Sequence, residues 1–126
     1  MPIGVTDSVR KYKAMERRRL MNNKITKEAS AVLKNLGARR VAAECMRLRG
    51  EAESAEALEC EVRAAELALA DLHPDYRYVL SEFYTERKAG FMGRLCEYFG
   101  CGESTVYRKK RQAVAEFALR LFGCEE

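Results

Sequence analysis

The chain has 126 residues, a third of them charged, with two prolines, eight glycines and a formal net charge of +4. That length favours one domain or a small domain with an appendage, and 48% hydrophobic residues exclude a disordered chain. The five cysteines stand at 45, 60, 96, 101 and 124 with no CxxC pair, and His73 is the only histidine. This spacing argues against a zinc site and against structural disulfides, and so for a reducing cytoplasm. No apolar run is long enough for a signal peptide or a membrane span.

Charge is unevenly distributed. Residues 1–49 carry 13 basic and 4 acidic side chains, whereas residues 50–72 carry 1 basic and 7 acidic. Residues 73–126 are nearly balanced, but within them residues 104–120 hold five basic side chains and one acidic. A basic segment followed by an acidic one predicts two helices that pair antiparallel, with complementary flanks.

The first helix is expected to be capped at Thr6 or Asp7 and to run to Leu36, with Gly37 as its stop. Its second half has apolar residues at Ile25, Ala29, Val32 and Leu36, the 4-3-4 spacing of one helical face. Arg17-Arg18-Arg19 reads as a solvated face, with a phosphate contact as the other possibility. Residues 38–50 are ambiguous and are taken as helical. In residues 51–72, Leu58, Val62, Ala65, Leu69 and Leu72 repeat at heptad spacing, which predicts packing against another helix. Residues 1–72 thus read as a helical hairpin or coiled coil, an oligomerisation segment through which the chain forms a homodimer.

His73-Pro74 marks a boundary, since proline suits the first position of a helix. Helix 74–85 should bury Tyr76, Val79, Leu80 and Phe83. A loop to Gly90 follows, then helix 91–99 burying Phe91 or Met92, Leu95, Cys96 and Phe99. After a turn, helix 103–122 should bury Val106, Ala113, Phe117, Ala118 and Leu121 and end at Gly123. The expected fold is all-α: a long N-terminal helical hairpin, residues 1–72, and a C-terminal three-helix helix-turn-helix domain, residues 73–126.

Cys96, Gly100 and Val106 have the spacing of a tight helix-turn-helix. A small residue permits close packing, a glycine turns the chain through the left-handed region, and a β-branched residue anchors the second helix. Cys101 fills the apolar turn position and Gly102 stands at the N-cap. If the second helix enters a DNA major groove, its base-reading residues are Glu103, Ser104, Tyr107 and Arg108. Arg108 suits guanine, Glu103 suits cytosine, and Ser104 suits either kind of partner. Thr105, Lys109, Lys110 and Arg111 are the expected phosphate contacts. No nucleophile–base set, phosphate-cradling loop or paired carboxylates point to an enzyme, a cofactor or a small-molecule substrate.

The runs Leu72-His73-Pro74-Asp75-Tyr76-Arg77-Tyr78-Val79-Leu80, Leu95-Cys96-Glu97-Tyr98-Phe99-Gly100 and Ser104-Thr105-Val106-Tyr107-Arg108 resemble the sigma-factor region 4 type of helix-turn-helix. They are more similar to phage-encoded regulators of the ArpU/RinA type, over residues 69–122. Cys96 and Gly102 depart from that pattern, which usually has alanine and a small polar cap. The resemblance implies a phage or prophage transcription regulator acting in a bacterial host cytoplasm. Double-stranded DNA is its expected partner and RNA polymerase a further one. The alternatives are a DNA-packaging recognition subunit like a small terminase, or a sigma-like adaptor that binds polymerase.

Overall fold

The computed structural model describes residues 3–123, and from residue 24 onward their side chains as well. Five α-helices and one π-helical turn make up the described residues, with no strand among them, so the fold is all-α. The side chains of Thr6, Asp7 and Arg17-Arg18-Arg19 lie outside those described.

The first helix, α1, spans Ile3–Leu48, so Thr6 and Asp7 lie inside it rather than at its cap, and it does not stop at Gly37. A glycine inside a helix costs about 1 kcal/mol relative to alanine. Here that cost is offset downstream, where α1 buries Ala43 and pairs its arginines with the next helix. The real stop is Gly50, whose φ of 83° is left-handed. Gly50 N–H donates to the Arg47 carbonyl at 3.0 Å and Glu51 N–H to the Met46 carbonyl at 2.9 Å. These two bonds are the Schellman closure of a helix C-terminus.

The second helix, α2 (Ala52–Ala70), runs back along α1. Its direction follows from the ion pairs: Arg47 forks onto Glu59 nearest the turn, and Arg40 reaches Glu66 further out at 2.8 Å. Arg39 and Glu61 stand 3.9 Å apart. The expected charge complementarity therefore exists, although such exposed pairs contribute only ~0–1 kcal/mol each. Apolar burial does more: Ala55, Val62, Ala65, Ala68 and Leu72 are buried, with Leu69 packed beside them.

His73 caps α3 (Pro74–Leu80), its Nδ1 accepting from Asp75 N–H at 3.1 Å. The chain then widens into a π turn, Ser81–Thr85, closed by Glu86 N–H donating to the Ser81 carbonyl at 2.7 Å. The expected helix 74–85 is thus a short α-helix with a π-helical end. The fourth helix, α4, spans Phe91–Phe99, and the fifth, α5, spans Glu103–Phe122.

Two clusters form the core. The larger joins Ala29, Leu33 and Leu36 of α1, the buried face of α2, Leu80, and Ala113, Val114, Phe117 and Ala118 of α5. The smaller joins Val79, Phe83, Leu95 and Val106, with Phe91, Cys96, Phe99 and Cys101 packed against it. Tyr84 touches both. The helix boundary at His73-Pro74 is real, but buried residues on its two sides share one cluster. Arg120 adds a polar tie across it, donating to the Asp71 carboxylate at 2.9 Å.

Candidate nucleic-acid interface

The unit formed by α4, a three-residue turn and α5 is built from the ends inward. Gly100 has a φ of 63°, the left-handed conformation that glycine reaches without a Cβ penalty. Its N–H donates to the Glu97 carbonyl at 3.3 Å, and Cys101 N–H donates to the Cys96 carbonyl at 3.1 Å. The same closure that ends α1 at Gly50 therefore ends α4 at Gly100. Gly102 is extended, with φ −86° and ψ 174°, and starts α5 without a side-chain cap. The Val106 N–H donates back to the Gly102 carbonyl at 3.2 Å.

Of the three expected turn residues, Val106 is fully buried and Gly100 makes the turn. Cys96 is only half-buried; Leu95 is the residue of α4 with no exposure. Burial, with Cys101 and Glu103 nearby, pushes the Cys96 thiol above its ordinary range. Cys101 sits half-buried against the smaller cluster.

Three ties orient this unit. Buried Glu82 on the π turn accepts from Arg94 of α4 at 2.8 and 3.3 Å. Arg94 also donates to the Ala89 carbonyl at 3.0 Å, so one guanidinium joins the π turn, the loop and α4. Tyr98 donates to the Asp75 carboxylate at 2.9 Å, which raises the phenol above its usual range. The Tyr98 ring also lies 4.6 Å from that of Tyr78. Sequence reading had no means of finding the Glu82–Arg94 pair, since nothing in a charged residue's neighbours marks a partner twelve positions away.

Glu103, Ser104, Tyr107 and Arg108 are all exposed. Tyr107 is held at one edge by Phe83, ring centroids 5.7 Å apart. The four expected phosphate residues separate. Arg111 is exposed and Thr105 half-buried. Lys109 and Lys110 are half-buried, their ammonium groups over rings: Lys109 is 4.8 Å from the Phe99 centroid and Lys110 is 5.2 Å from that of Phe83. Such contacts keep the charge near the surface while the stem packs. A cation on each side of α5 therefore brackets the exposed face carrying Ser104, Arg108 and Arg111.

A feature that sequence reading passed over lies beside this face. Lys27 and Lys34 of α1 and Lys110 and Arg111 of α5 line a cleft of about 490 Å³. A second cleft of about 440 Å³ shares Ser30, Lys34 and Lys110 with it, and there Arg87 and Tyr107 join the wall. No acidic side chain lines either one among the described residues. In the sequence Lys27 and Lys34 look like the solvated face of an amphipathic helix. Only the packing of α1 on α5 brings them to Arg111.

No group of three or more histidine, cysteine, aspartate or glutamate side chains suited to a metal ion occurs among the described residues. No helix there is long and apolar enough to cross a membrane. No protein-family model matches the chain, and no curated protein or solved structure matches it.

Proposed function

We propose that this chain is a sequence-specific, double-stranded-DNA-binding regulator that reads the major groove with the N-terminal half of α5. The observation that carries the reading is the division of that helix. Val106 is buried as an anchor, while Ser104, Tyr107, Arg108 and Arg111 are exposed at the end that follows the tight turn. Exposed side chains in the first turns of a second helix are those that reach base edges. Arg108 is the main reader, through a bidentate pair to guanine, with Glu103 and Ser104 beside it. The resemblance to ArpU/RinA-type regulators supports a role in phage or prophage transcription.

As a homodimer the chain would pair through the outside of the hairpin, because the inner faces of α1 and α2 are buried within one molecule. Ala57, Cys60, Ala64 and Leu67 recur at 3-4-3 spacing on the exposed side of α2, and Leu67 is 74% exposed. Two recognition helices would then meet half-sites about 34 Å apart or a multiple of it.

Selection from random duplexes with the full-length protein tests the reading. It should recover a preferred sequence, and Arg108→Ala should relax the preference at one guanine by roughly 1–3 kcal/mol. Unchanged affinity and preference in Arg108→Ala would remove α5 as the reading helix.

A further inference from the structure

We propose that the cleft between α1 and α5 is a second DNA contact, a track that takes the backbone phosphates of the same duplex that α5 reads. This rests on the DNA-binding reading above. Charge pairing along α1 changes from one segment to the next. Beside α2, Arg39, Arg40 and Arg47 each face a glutamate of α2, and Arg49 faces Glu51 in the turn. Beside α5, Lys27 and Lys34 have no acidic partner among the described residues, and neither does Arg111 across the cleft. Within residues 24–48, α1 thus pairs Arg39, Arg40 and Arg47 with α2 and sets Lys27 and Lys34 against further cations of α5. Uncompensated like charge destabilises a fold through self-repulsion unless an anion occupies the field.

The placement of the lysines agrees. Lys27 and Lys34 are seven residues apart, two helical turns, or about 10.5 Å along α1. Ser30 lies between them on the same wall. The two lobes share Ser30, Lys34 and Lys110, so they adjoin along the same lysines. A row of spaced cations fits a polyanion strand better than a compact anion, which calls for converging donors in an enclosed pocket. Tyr84 donates to Ser30 Oγ at 3.4 Å, and both line the second lobe.

The cleft also adjoins the proposed reading face of α5. Tyr107, a proposed base-reading residue, lines the second lobe, and Arg111 lines the first. The track therefore begins where the reading face of α5 ends. In this arrangement α1 is a backbone clamp as well as half of the hairpin, setting the register in which Arg108 meets the bases.

The test uses the full chain, a fluorescent 30-base-pair duplex of the selected sequence and a scrambled duplex, with anisotropy titrations at several salt concentrations. Lys27→Ala with Lys34→Ala removes two exposed cations from a helix without disturbing its core. Lys27→Gln with Lys34→Gln is the second variant, should the first fail to fold. The expected result is weaker binding to both duplexes by the same factor, unchanged preference between them, and a log–log salt slope shallower by roughly 1.8, about 0.9 per phosphate. If the wild type binds with sequence preference and the double variant keeps its affinity and slope, the track is wrong and the reading of α5 stands. A wild type that retains neither duplex at low salt overturns both. If sodium tripolyphosphate binds the wild type and not the double variant, while the DNA salt slope is unchanged, the cleft holds a small anion and the track is overturned.

Discussion

Gly100 and Gly102 flank Cys101, yet they should respond oppositely to substitution. Gly100 has a φ of 63°, and a Cβ there would meet no atom within 4 Å. The cost of Gly100→Ala is therefore the backbone term alone, about 1–2 kcal/mol for an L-residue in the left-handed region. Gly102 has ordinary extended dihedrals, also with open space around a Cβ. Gly102→Ser adds a hydroxyl that can accept from an N–H of the first turn of α5, which no side chain now does. That change should stabilise by a few tenths of a kcal/mol. Urea unfolding followed by circular dichroism at 222 nm gives both differences from midpoint shifts at a common slope. For a chain of this size, Gly100→Ala should lower Tm by roughly 4–8 °C. Gly100→Ala also strains the turn that aims α5, so its DNA affinity should fall even at temperatures where it is fully folded. If Gly100→Ala melts like the wild type while Gly102→Ser is the damaging change, α4 does not end in a left-handed turn and the geometry proposed for α5 is lost.

Other consequences are more local. Arg94→Ala should destabilise by about 2 kcal/mol in urea melts, because it leaves Glu82 buried without its cation. Glu82→Gln should cost less, since the amide oxygen still accepts from Arg94. Cys96, half-buried with its thiol pushed above the ordinary range, should react with a disulfide reagent at pH 8 more slowly than exposed Cys45 and Cys60. Individual Cys→Ser variants assign the phases, and a fast Cys96 would contradict its packing. The Tyr98 phenol, raised by its bond to Asp75, should ionise above the ordinary tyrosine range. Because its folded value is raised, the stability it contributes is complete below the ordinary tyrosine range and is lost as pH rises through the folded value. Ultraviolet titration of Tyr98→Phe against the wild type checks this.

The helix ends were legible wherever one residue type has one physical use. Pro74 starts α3, Gly100 ends α4 and Gly123 ends α5, as expected from their chemistry. Gly37 shows the limit of that logic. A helix-stopping glycine acts only if the chain gains by leaving the helix, and residues 38–48 gain more by continuing along α2. The heptad of α2 was readable because its packing partner is a helix directly before it. Val114 is buried outside the expected apolar set of α5 because that helix buries a broad face, packing against α1, α2, α3 and α4 rather than one neighbour. The π turn and the buried Glu82 depend on Arg94, and the basic cleft depends on residues more than seventy positions apart. No local pattern encodes such meetings. They exist only once the helices are assembled.

The shared core also bears on how such a protein could be regulated. Val106 anchors the N-terminal end of α5 in the smaller cluster, whereas Ala113, Val114, Phe117 and Ala118 anchor its other end among residues of α1 and α2. One rigid helix thus has its two ends in different clusters, and the cluster at its far end belongs largely to the hairpin. A change that slides α1 against α2 must repack the far end of α5, because close-packed interiors transmit displacement rather than absorb it. The exposed end would move with it, and with it the side chain of Arg108 that is proposed to read DNA. Phe117→Ala separates this coupling from simple support. Phe117 has no exposure, so truncation should cost about 3–5 kcal/mol. If α5 is aimed through the larger cluster, the folded fraction of Phe117→Ala should also bind its preferred duplex more weakly and discriminate less. Native affinity and preference in that fraction would show that the smaller cluster alone sets the angle of α5.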